Sequence, residues 1–469
     1  MVGEKNEKNI IDIDALTIIS ILFVSCVPKK QDYKRYDAKF DKIDINLEEQ
    51  EIETQDSTIT LQTTKSNTHA GINLNYRGNI KPVEIDGVNV QANDIIMNKN
   101  DDDIVFIAYN LAGEDAKGAI QIIDFSNDNN PKIFTEIKFN NADINTLYYN
   151  KKLNEIVFGG NILNDDNVSV PFISKFDYFN KTSLNKNTIK DQIENNLRLV
   201  KNDISDAKDI NSGSWNMKDA DDLLLAPNTV TGISYEQFYY VTLARYGGLA
   251  AYNNQLNKVN YIISYDDIKD LTKYDNYIYG ISGDNGTLFR LNNGETRIEK
   301  IQDIGRFGNK NGNYTEAKAT VQFFGNYWPD NFNFLYSMSE NGFGYYSYMS
   351  NKKMTFDELN GNKITSNGVS YSLINDKKIA FNTFFYEDID KKISSGFSIH
   401  EIILDNNSLN LIGTEILNEE DPVYKDVENL YDASPNFIET KSFQNNKNKI
   451  LMLLAAGNSG ILYYTLMLK

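Results

Sequence analysis

The stretch IVFIAYNLAGEDAKGAIQIIDF, residues 104–125, contains two runs rich in Ile, Val, Phe and Tyr on either side of a polar segment. β-Branched and aromatic runs bounded by Asn, Asp and Gly are typical of strands, so this stretch predicts a hairpin. The same unit recurs along the chain, seven times in all, and in six copies the second strand opens with Gly. The seven first strands are IVFIAY (104–109), EIVFGG (155–160), FYYVTL (238–243), YIYGIS (277–282), FLYSMS (334–339), IAFNTF (379–384) and ILMLLA (450–455). Their partners are GAIQIIDF (118–125), VPFISKFDY (170–178), GGLAAYN (247–253), GTLFRL (286–291), GFGYYSY (342–348), GFSIHEI (396–402) and GILYYTL (460–466).

A series of small sheets over residues 71–469 predicts an all-β fold, a β-propeller of about seven four-stranded blades, with six and eight left open. The last hairpin ends at Leu466, too near the end of the chain for an outer strand to follow. Residues 71–90 contain a strand-like segment without a hairpin of its own. Because an open ring would expose two sheet edges, we predict that this N-terminal segment completes the last blade. One insertion predicts an amphipathic helix around Ile189–Val200.

The first 70 residues have a different character. An uncharged, mainly apolar run from Ala15 to Val24 is too short to cross a bilayer but fits the apolar region of a secretory signal. Residues 29–70 mix charges of both signs with scattered apolar positions, which is typical of a flexible segment. We therefore predict a signal peptide over 1–25, a disordered tether over 26–70 and a propeller over 71–469.

Two resemblances extend this interpretation. Ser25 followed by Cys26, the sole cysteine of the chain, resembles the lipobox of bacterial lipoproteins, which implies that Cys26 is lipidated. The alternative is an ordinary cysteine of a buried N-terminal strand. GAIQIIDFSNDNNPKIFTEIKF (118–139) resembles the LVIVD repeat, a propeller repeat of secreted and surface bacterial proteins, and implies export but no reaction.

Charge and composition exclude several functions. The chain has 65 acidic and 47 basic residues and a formal charge of −18, so we expect no nucleic-acid partner. One cysteine and two histidines exclude a disulfide framework and the Cys/His zinc patterns. Calcium is the one cofactor left open, because Asp and Asn cluster at 101–103, 164–167 and 219–222. None of these clusters has calcium-loop spacing, so solvated turns are the favoured interpretation and no metal residue is assigned.

Candidate site residues are few. The aromatic turns Arg245-Tyr246 and Tyr345-Tyr346 would offer a partner or glycan rigid contacts if they lie on a propeller face. The alternative is packing within the blades. His400 lies among apolar residues and is favoured as a structural histidine over a general base. No catalytic residue is assigned, since neither a nucleophile elbow nor a phosphate loop is present in the sequence.

The sequence therefore favours a non-enzymatic binding module, lipid-anchored at the cell envelope in the outer membrane or at the cell surface. Its expected partner is a protein or a glycan, and its oligomeric state is open. One alternative is a propeller hydrolase or lyase acting on glycans with carboxylate or Tyr catalysts. A further alternative is a scaffold for envelope assembly.

Overall fold

The computed structural model describes the chain between Ala38 and Leu468, with gaps. The described ranges are 38–62, 72–97, 103–111, 115–178, 184–200, 230–235, 237–243, 248–262, 268–274, 277–282, 286–292, 298–304, 321–325, 332–338, 342–347, 350–359, 361–374, 376–387, 393–403, 408–430, 435–443 and 446–468. Within these ranges the chain forms 35 β-strands, one α-helix and one turn of 3₁₀ helix. No helix in them is long and apolar enough to span a membrane.

Seven antiparallel sheets of at least four strands follow one another along the chain and form seven blades. Blade 1 contains β7 (Gln91–Met97), β8 (Ile104–Asn110), β9 (Gly118–Asp124) and β10 (Lys132–Phe139); blade 2 contains β11 (Ala142–Asn150), β12 (Glu155–Leu163), β13 (Ser169–Asp177) and β14 (Arg198–Leu199). Blade 3 contains β15 (Val230–Tyr235), β16 (Tyr239–Leu243), β17 (Gly248–Tyr252) and β18 (Lys258–Ile262); blade 4 contains β19 (Ile268–Tyr274), β20 (Tyr277–Ser282), β21 (Thr287–Asn292) and β22 (Glu299–Asp303). Blade 5 contains β23 (Val321–Gly325), β24 (Phe332–Ser337), β25 (Phe343–Ser347) and β26 (Lys352–Phe356); blade 6 contains β29 (Thr365–Ile374), β30 (Lys377–Glu387), β31 (Ile393–Ile403) and β32 (Ser408–Leu417). Blade 7 contains β33 (Phe437–Phe443), β34 (Asn446–Ala455), β35 (Ile461–Leu468) and β4 (Ile72–Ile80).

The first strand of each blade lies at the axis of the molecule. Each of these seven strands contacts the first strand of the next blade, and β33 of blade 7 contacts β7 of blade 1. The ring of sheets is therefore closed. The predicted propeller of seven four-stranded blades is confirmed.

The ring is closed by the N-terminal segment, as predicted. Strand β4 pairs with β35 along its whole length, from Ile80 opposite Ile461 to Ile72 opposite Leu468. This pairing satisfies the backbone N–H and C=O groups that β35 would otherwise expose at the edge of the sheet. Two short hairpins lie between blades: β5 (Glu84–Ile85) with β6 (Val88–Asn89), and β27 (Glu358–Leu359) with β28 (Asn362–Lys363).

The seven hairpins of the sequence repeat are the second and third strands of the seven blades. Their apolar side chains pack between neighbouring blades: one cluster joins Phe106 of blade 1 to Phe158 of blade 2. The glycine that opens the third strand has a steric role in blade 1. A Cβ atom on Gly118 would lie 2.7 Å from the carbonyl oxygens of Tyr109 and Ala142, so the close approach of these strands requires glycine here.

The predicted tether is too long, because residues 38–62 fold onto the outside of the propeller. We call this segment the strap. It contributes β1 (Ile43–Asn46) and β2 (Gln50–Glu51) to the edge of blade 1, and β3 (Ser57–Ile59) to the edge of blade 7. Gln62 then forms a bridge with Thr414 of blade 6. The apolar residues Phe40, Ile43, Ile52 and Ile59 are buried. Composition did not reveal this, since the blade edges supply the hydrogen-bond partners and the apolar surface.

The insertion after β13 begins with the one described helix, α1 (Lys186–Asn195). Asn185 caps its N-terminus by accepting a hydrogen bond from the Thr188 amide, and Ile189 and Ile193 are buried. The helix is shorter at its C-terminus than the predicted segment, which continued to Val200. Arg198 and Leu199 instead form the outer strand of blade 2, because the free edge of β13 offers them backbone partners.

The two faces of the propeller differ in their connections. On one face the second strand of each blade leads to the third, and the outer strand leads to the first strand of the next blade. We call this the loop face; it carries both interblade hairpins. On the opposite face the turns of blade 2 at 151–154 and of blade 3 at 253–257 are short. The helical insertion that follows β13 also starts at this opposite face. Connections on a rigid scaffold are where binding residues concentrate, and those that join one blade to the next lie on the loop face, which makes it a candidate for a site.

Candidate functional site

The axial strands are irregular near the loop face. A β-bulge interrupts the pairing of the first strand in blades 1, 2, 3, 4 and 6. In blade 1 the extra residue is Asn93, and in blade 2 it is Asn145. A bulge re-aims a side chain away from the alternation of the strand, and bulges concentrate next to functional sites. Two asparagines are thus placed at equivalent positions of neighbouring blades.

These asparagines belong to a row of four amides that joins blades 1 and 2. The Asn93 side chain donates to the main-chain oxygen of Asn145 at 2.9 Å, and Asn110 donates to the Asn145 Oδ1 at 2.6 Å. Asn145 in turn donates to the Asn161 Oδ1 at 3.2 Å. Asn93 is buried, whereas Asn110, Asn145 and Asn161 are half-buried. We call these four residues the amide row.

One carboxylate ends the amide row. Asp143 Oδ2 accepts a hydrogen bond from Asn161 at 2.9 Å, and Oδ1 accepts from the backbone amides of Leu111 and Lys117 at 2.9 and 3.1 Å. The carboxyl is buried, and desolvation raises its pKa to about 6 although these hydrogen bonds oppose the shift. The carboxyl group thus fixes both ends of the loop between β8 and β9 against blade 2.

The close packing of β11 and β12 positions this carboxylate. A Cβ atom on Gly160 would lie 2.0 Å from the backbone oxygen of Asp143. Real Cβ atoms do not approach an oxygen so closely, so only glycine allows β12 to lie against the bulge of β11. Gly160, the second glycine of EIVFGG, therefore allows the close strand approach that positions Asp143.

Of the residues predicted from sequence, Cys26, Arg245 and Tyr246 lie outside the described ranges. Tyr345 and Tyr346 are in β25, where the two residues are 0% and 3% exposed. Their hydroxyls donate to the side chains of Asn333 at 3.0 Å and Asn351 at 3.2 Å. Both tyrosines therefore pack inside the propeller, which agrees with the alternative interpretation of this turn as blade packing.

His400 is also enclosed. It is fully buried, its Nε2 lies 2.9 Å from the Ser398 hydroxyl, and its ring contacts Phe343 and Phe356 of blade 5. Burial lowers its pKa to about 3, so the ring is neutral at physiological pH. With no access for a substrate, this histidine has the structural role that the sequence favoured.

The described part of the chain contains no group of three or more His, Cys, Asp or Glu side chains that could hold a metal ion. In the 164–167 cluster, Asn164 Oδ1 accepts hydrogen bonds from the amides of Asp166 and Val168, so this cluster forms a turn. Asp101, Asp102 and residues 219–222 lie outside the described ranges.

Sequence reasoning missed the amide row. Its four asparagines come from four strands and are separated by 16 to 68 positions in the chain. Each lies within or close to a run of apolar residues, as asparagines of turns also do, so no local pattern distinguishes them. The one usable signal was the Gly-Gly pair before Asn161, because two adjacent glycines in a strand indicate close backbone approach or a bulge.

Comparison with known proteins gives a fold-level likeness. No protein-family model matches the chain, and no curated protein matches its sequence. Among solved structures, a streptogramin B lyase is 10% identical with a TM-score of 0.43, over 86% of this chain and all of that one. The extracellular domain of a protein described as a one component system from B. thetaiotaomicron is 11% identical with a TM-score of 0.39, over 82% of this chain and 39% of that one.

A third structure, described as a 6-phosphogluconolactonase of Bacteroides uniformis, is 11% identical with a TM-score of 0.39, over 77% of this chain and 99% of that one. None of these likenesses supports a function for the present chain. The resemblances to the LVIVD repeat and to lipoproteins stay predictions.

Proposed function

We propose that this protein is a lipid-anchored binding module of the cell envelope, and that its loop face binds a glycan at the amide row. The observation that carries the proposal is the placement of four side-chain amides and one carboxyl group at the boundary of two rigid blades. Each amide offers an acceptor oxygen and two N–H donors, which suits a ligand whose hydroxyls both donate and accept. Asn110, Asn145 and Asn161 are half-buried residues, so this part of the row is partly exposed to solvent.

Two of these amides have unused hydrogen-bonding capacity among the described residues. Asn110 and Asn161 each donate one hydrogen bond within the row, so each retains a second N–H. A sugar hydroxyl that accepted both hydrogens would lie across blades 1 and 2. Because the blades already fix these side chains, little side-chain entropy would be lost on binding.

We expect Asn110→Ala and Asn161→Ala each to weaken glycan binding about 5- to 10-fold, because each removes one hydrogen bond of about 1 kcal/mol. The measurement is calorimetric titration of the most strongly retained oligosaccharide from an array screened with the intact protein. Asn257→Ala is the matched control, since Asn257 is an exposed asparagine in a turn of the opposite face. If the control lost as much affinity as the two site variants, or if the array retained no glycan, the proposed site would be wrong.

The membrane anchor is proposed from the lipobox resemblance at Ser25-Cys26. We expect cells that express the full chain to incorporate a radioactive fatty acid into it, and Cys26→Ser to abolish this labelling, because the thiol is the acylated group. The measurement is autoradiography after immunoprecipitation, with total protein as the control for expression. Equal labelling of the Cys26→Ser variant would contradict the anchor.

A glycan hydrolase or lyase is the second candidate, favoured by the raised pKa of Asp143. A carboxyl group with a pKa of about 6 is suited to general acid catalysis near neutral pH. However, both of its oxygens already accept hydrogen bonds from the protein. Release of reducing ends from the bound oligosaccharide, abolished in Asp143→Asn, would support this candidate over the binding module.

A further inference from the structure

The strap begins at the loop face. The Asn141 side chain, in the connection from blade 1 to blade 2, accepts a hydrogen bond from the Asp41 amide at 3.0 Å. The Asn141 side-chain nitrogen also donates hydrogen bonds to the Lys39 carbonyl at 2.9 Å and to the Leu163 carbonyl at 3.1 Å. Phe40 packs against Phe139 and Phe172, with ring centroids 5.1 and 5.3 Å away. Residues 39–41 are therefore fixed at this end of the propeller.

The amide row is on the same face and nearby. Asn141 lies two residues before Asp143, and its backbone carbonyl accepts a hydrogen bond from the Leu163 amide at the end of β12, two residues after Asn161. From Ile43, opposite Phe139, the strap runs along β10 towards the opposite face. The start of the strap thus lies beside the proposed site.

Covalent geometry limits how the propeller can turn on its anchor. Twelve peptide steps separate Cys26 from Ala38, and they span at most about 40 Å in any conformation. Strand β12 has nine residues, so the blades are about 30 Å high. To bring the opposite face to the membrane, the chain would have to run the full height of a blade, which would use most of its reach.

We infer that the loop face is turned towards the membrane, and that the ligand of the amide row is a glycan carried by that membrane. The inference rests on the proposed anchor for its membrane and on the fixed position of residues 39–41 for its direction. An opposite arrangement, with the site facing away from the membrane, would suit a glycan of another cell or of the medium.

Probes at the two ends of β12 test the orientation. Asp165 is exposed at the loop face and Lys152 is exposed at the opposite face. Each is replaced in a separate full-length chain, Asp165→p-azidophenylalanine or Lys152→p-azidophenylalanine, and labelled with the same fluorophore. One set of samples is the acylated protein, extracted from cells and reconstituted in phosphatidylcholine vesicles containing nitroxide-labelled headgroups. In the other set, Cys26 of unacylated protein is coupled to a maleimide lipid in the same vesicles.

We expect quenching of the probe at position 165 to exceed that at position 152 several-fold in both sets. A Cys26→Ser chain mixed with the vesicles is the control and should show no difference between the two probes. Equal quenching, or stronger quenching at position 152, in the coupled samples would overturn the inference. If cells do not acylate the chain but the coupled samples show the expected difference, the proposed anchor fails while the direction set by the strap is upheld.

The hypothesis that the glycan is carried by the same membrane is tested with the same coupled vesicles. The oligosaccharide that the array retains is attached to a lipid in the vesicle that holds the protein, or is left free in solution at the same total amount. We expect occupancy of the lipid-linked form to be at least tenfold higher, since the shared surface raises its effective concentration. Equal occupancy of the two forms would contradict a ligand carried by the same membrane.

Discussion

A chain that begins at Lys81 is expected to lose cooperative thermal unfolding, because it lacks β4 and the strap. Strand β4 supplies eight paired positions to β35, and its Leu74, Tyr76 and Ile80 are at most 1% exposed. Burial of each of these side chains contributes about 1.5–3 kcal/mol. Their sum is comparable with the whole stability of a typical domain, about 5–15 kcal/mol. The measurement is calorimetry together with near-ultraviolet circular dichroism.

Two further chains separate closure of the ring from the strap. A chain that begins at Ala38 keeps every described strand and should melt as the full chain does. A chain that begins at Gly71 keeps β4 but lacks the strap, and it should melt cooperatively at a lower temperature. If the chain beginning at Lys81 melted as the full chain does, closure by the N-terminal strand would not be what stabilises the ring.

The variant Glu415→Gln is expected to be more stable than the parent protein above pH 7, by about 3 kcal/mol. Glu415 is buried between blades 6 and 7, where its Oε1 accepts a hydrogen bond from the Tyr424 hydroxyl at 2.9 Å. Desolvation raises its pKa from 4.5 to about 7, and the nearby Asp421 adds to the shift. Glutamine keeps the acceptor oxygen and removes the charge.

The direction of the pH dependence follows from proton binding. Between about pH 4.5 and pH 7 the folded state holds the Glu415 proton while the unfolded state has released it. The stabilisation is therefore complete below pH 4.5 and is lost as the pH rises to about 7. The difference between a pKa of 4.5 in the unfolded chain and one of about 7 in the folded protein corresponds to about 3 kcal/mol.

Urea unfolding of both proteins at a series of pH values measures this difference. The two stability curves should converge below pH 4.5 and separate progressively up to pH 7. Glu419→Gln is the control, since Glu419 is exposed in the connection that follows β32. Parallel curves for Glu415→Gln and the parent would show that Glu415 is not protonated in the folded state at neutral pH.

Much of the fold was predictable because the inner part of each blade is a local structure. The hairpins of the repeat join strands that are neighbours in the chain, so alternation, aromatic content and turn residues specify them within about 20 residues. Closure by β4 was also predictable. The last blade lacked an outer strand and the first segment lacked a partner, so pairing the two removes both exposed edges. The outer strands were harder: β14 is two residues long and follows a helix.

The sequence by itself determined the class of fold, the seven hairpins and the segment that closes the ring, because β-hairpin propensity acts over short stretches; that these hairpins make seven blades, rather than six or eight, was settled by the structure. Only the tertiary structure decided that residues 38–62 are a strap, since the partners of β1, β2 and Gln62 lie about 80 to 350 residues further along the chain. The tertiary structure also decided that the four asparagines of the amide row come together. Bulges in β7 and β11 turn Asn93 and Asn145 out of the strand alternation, and a bulge depends on how two strands meet rather than on the residues of either one.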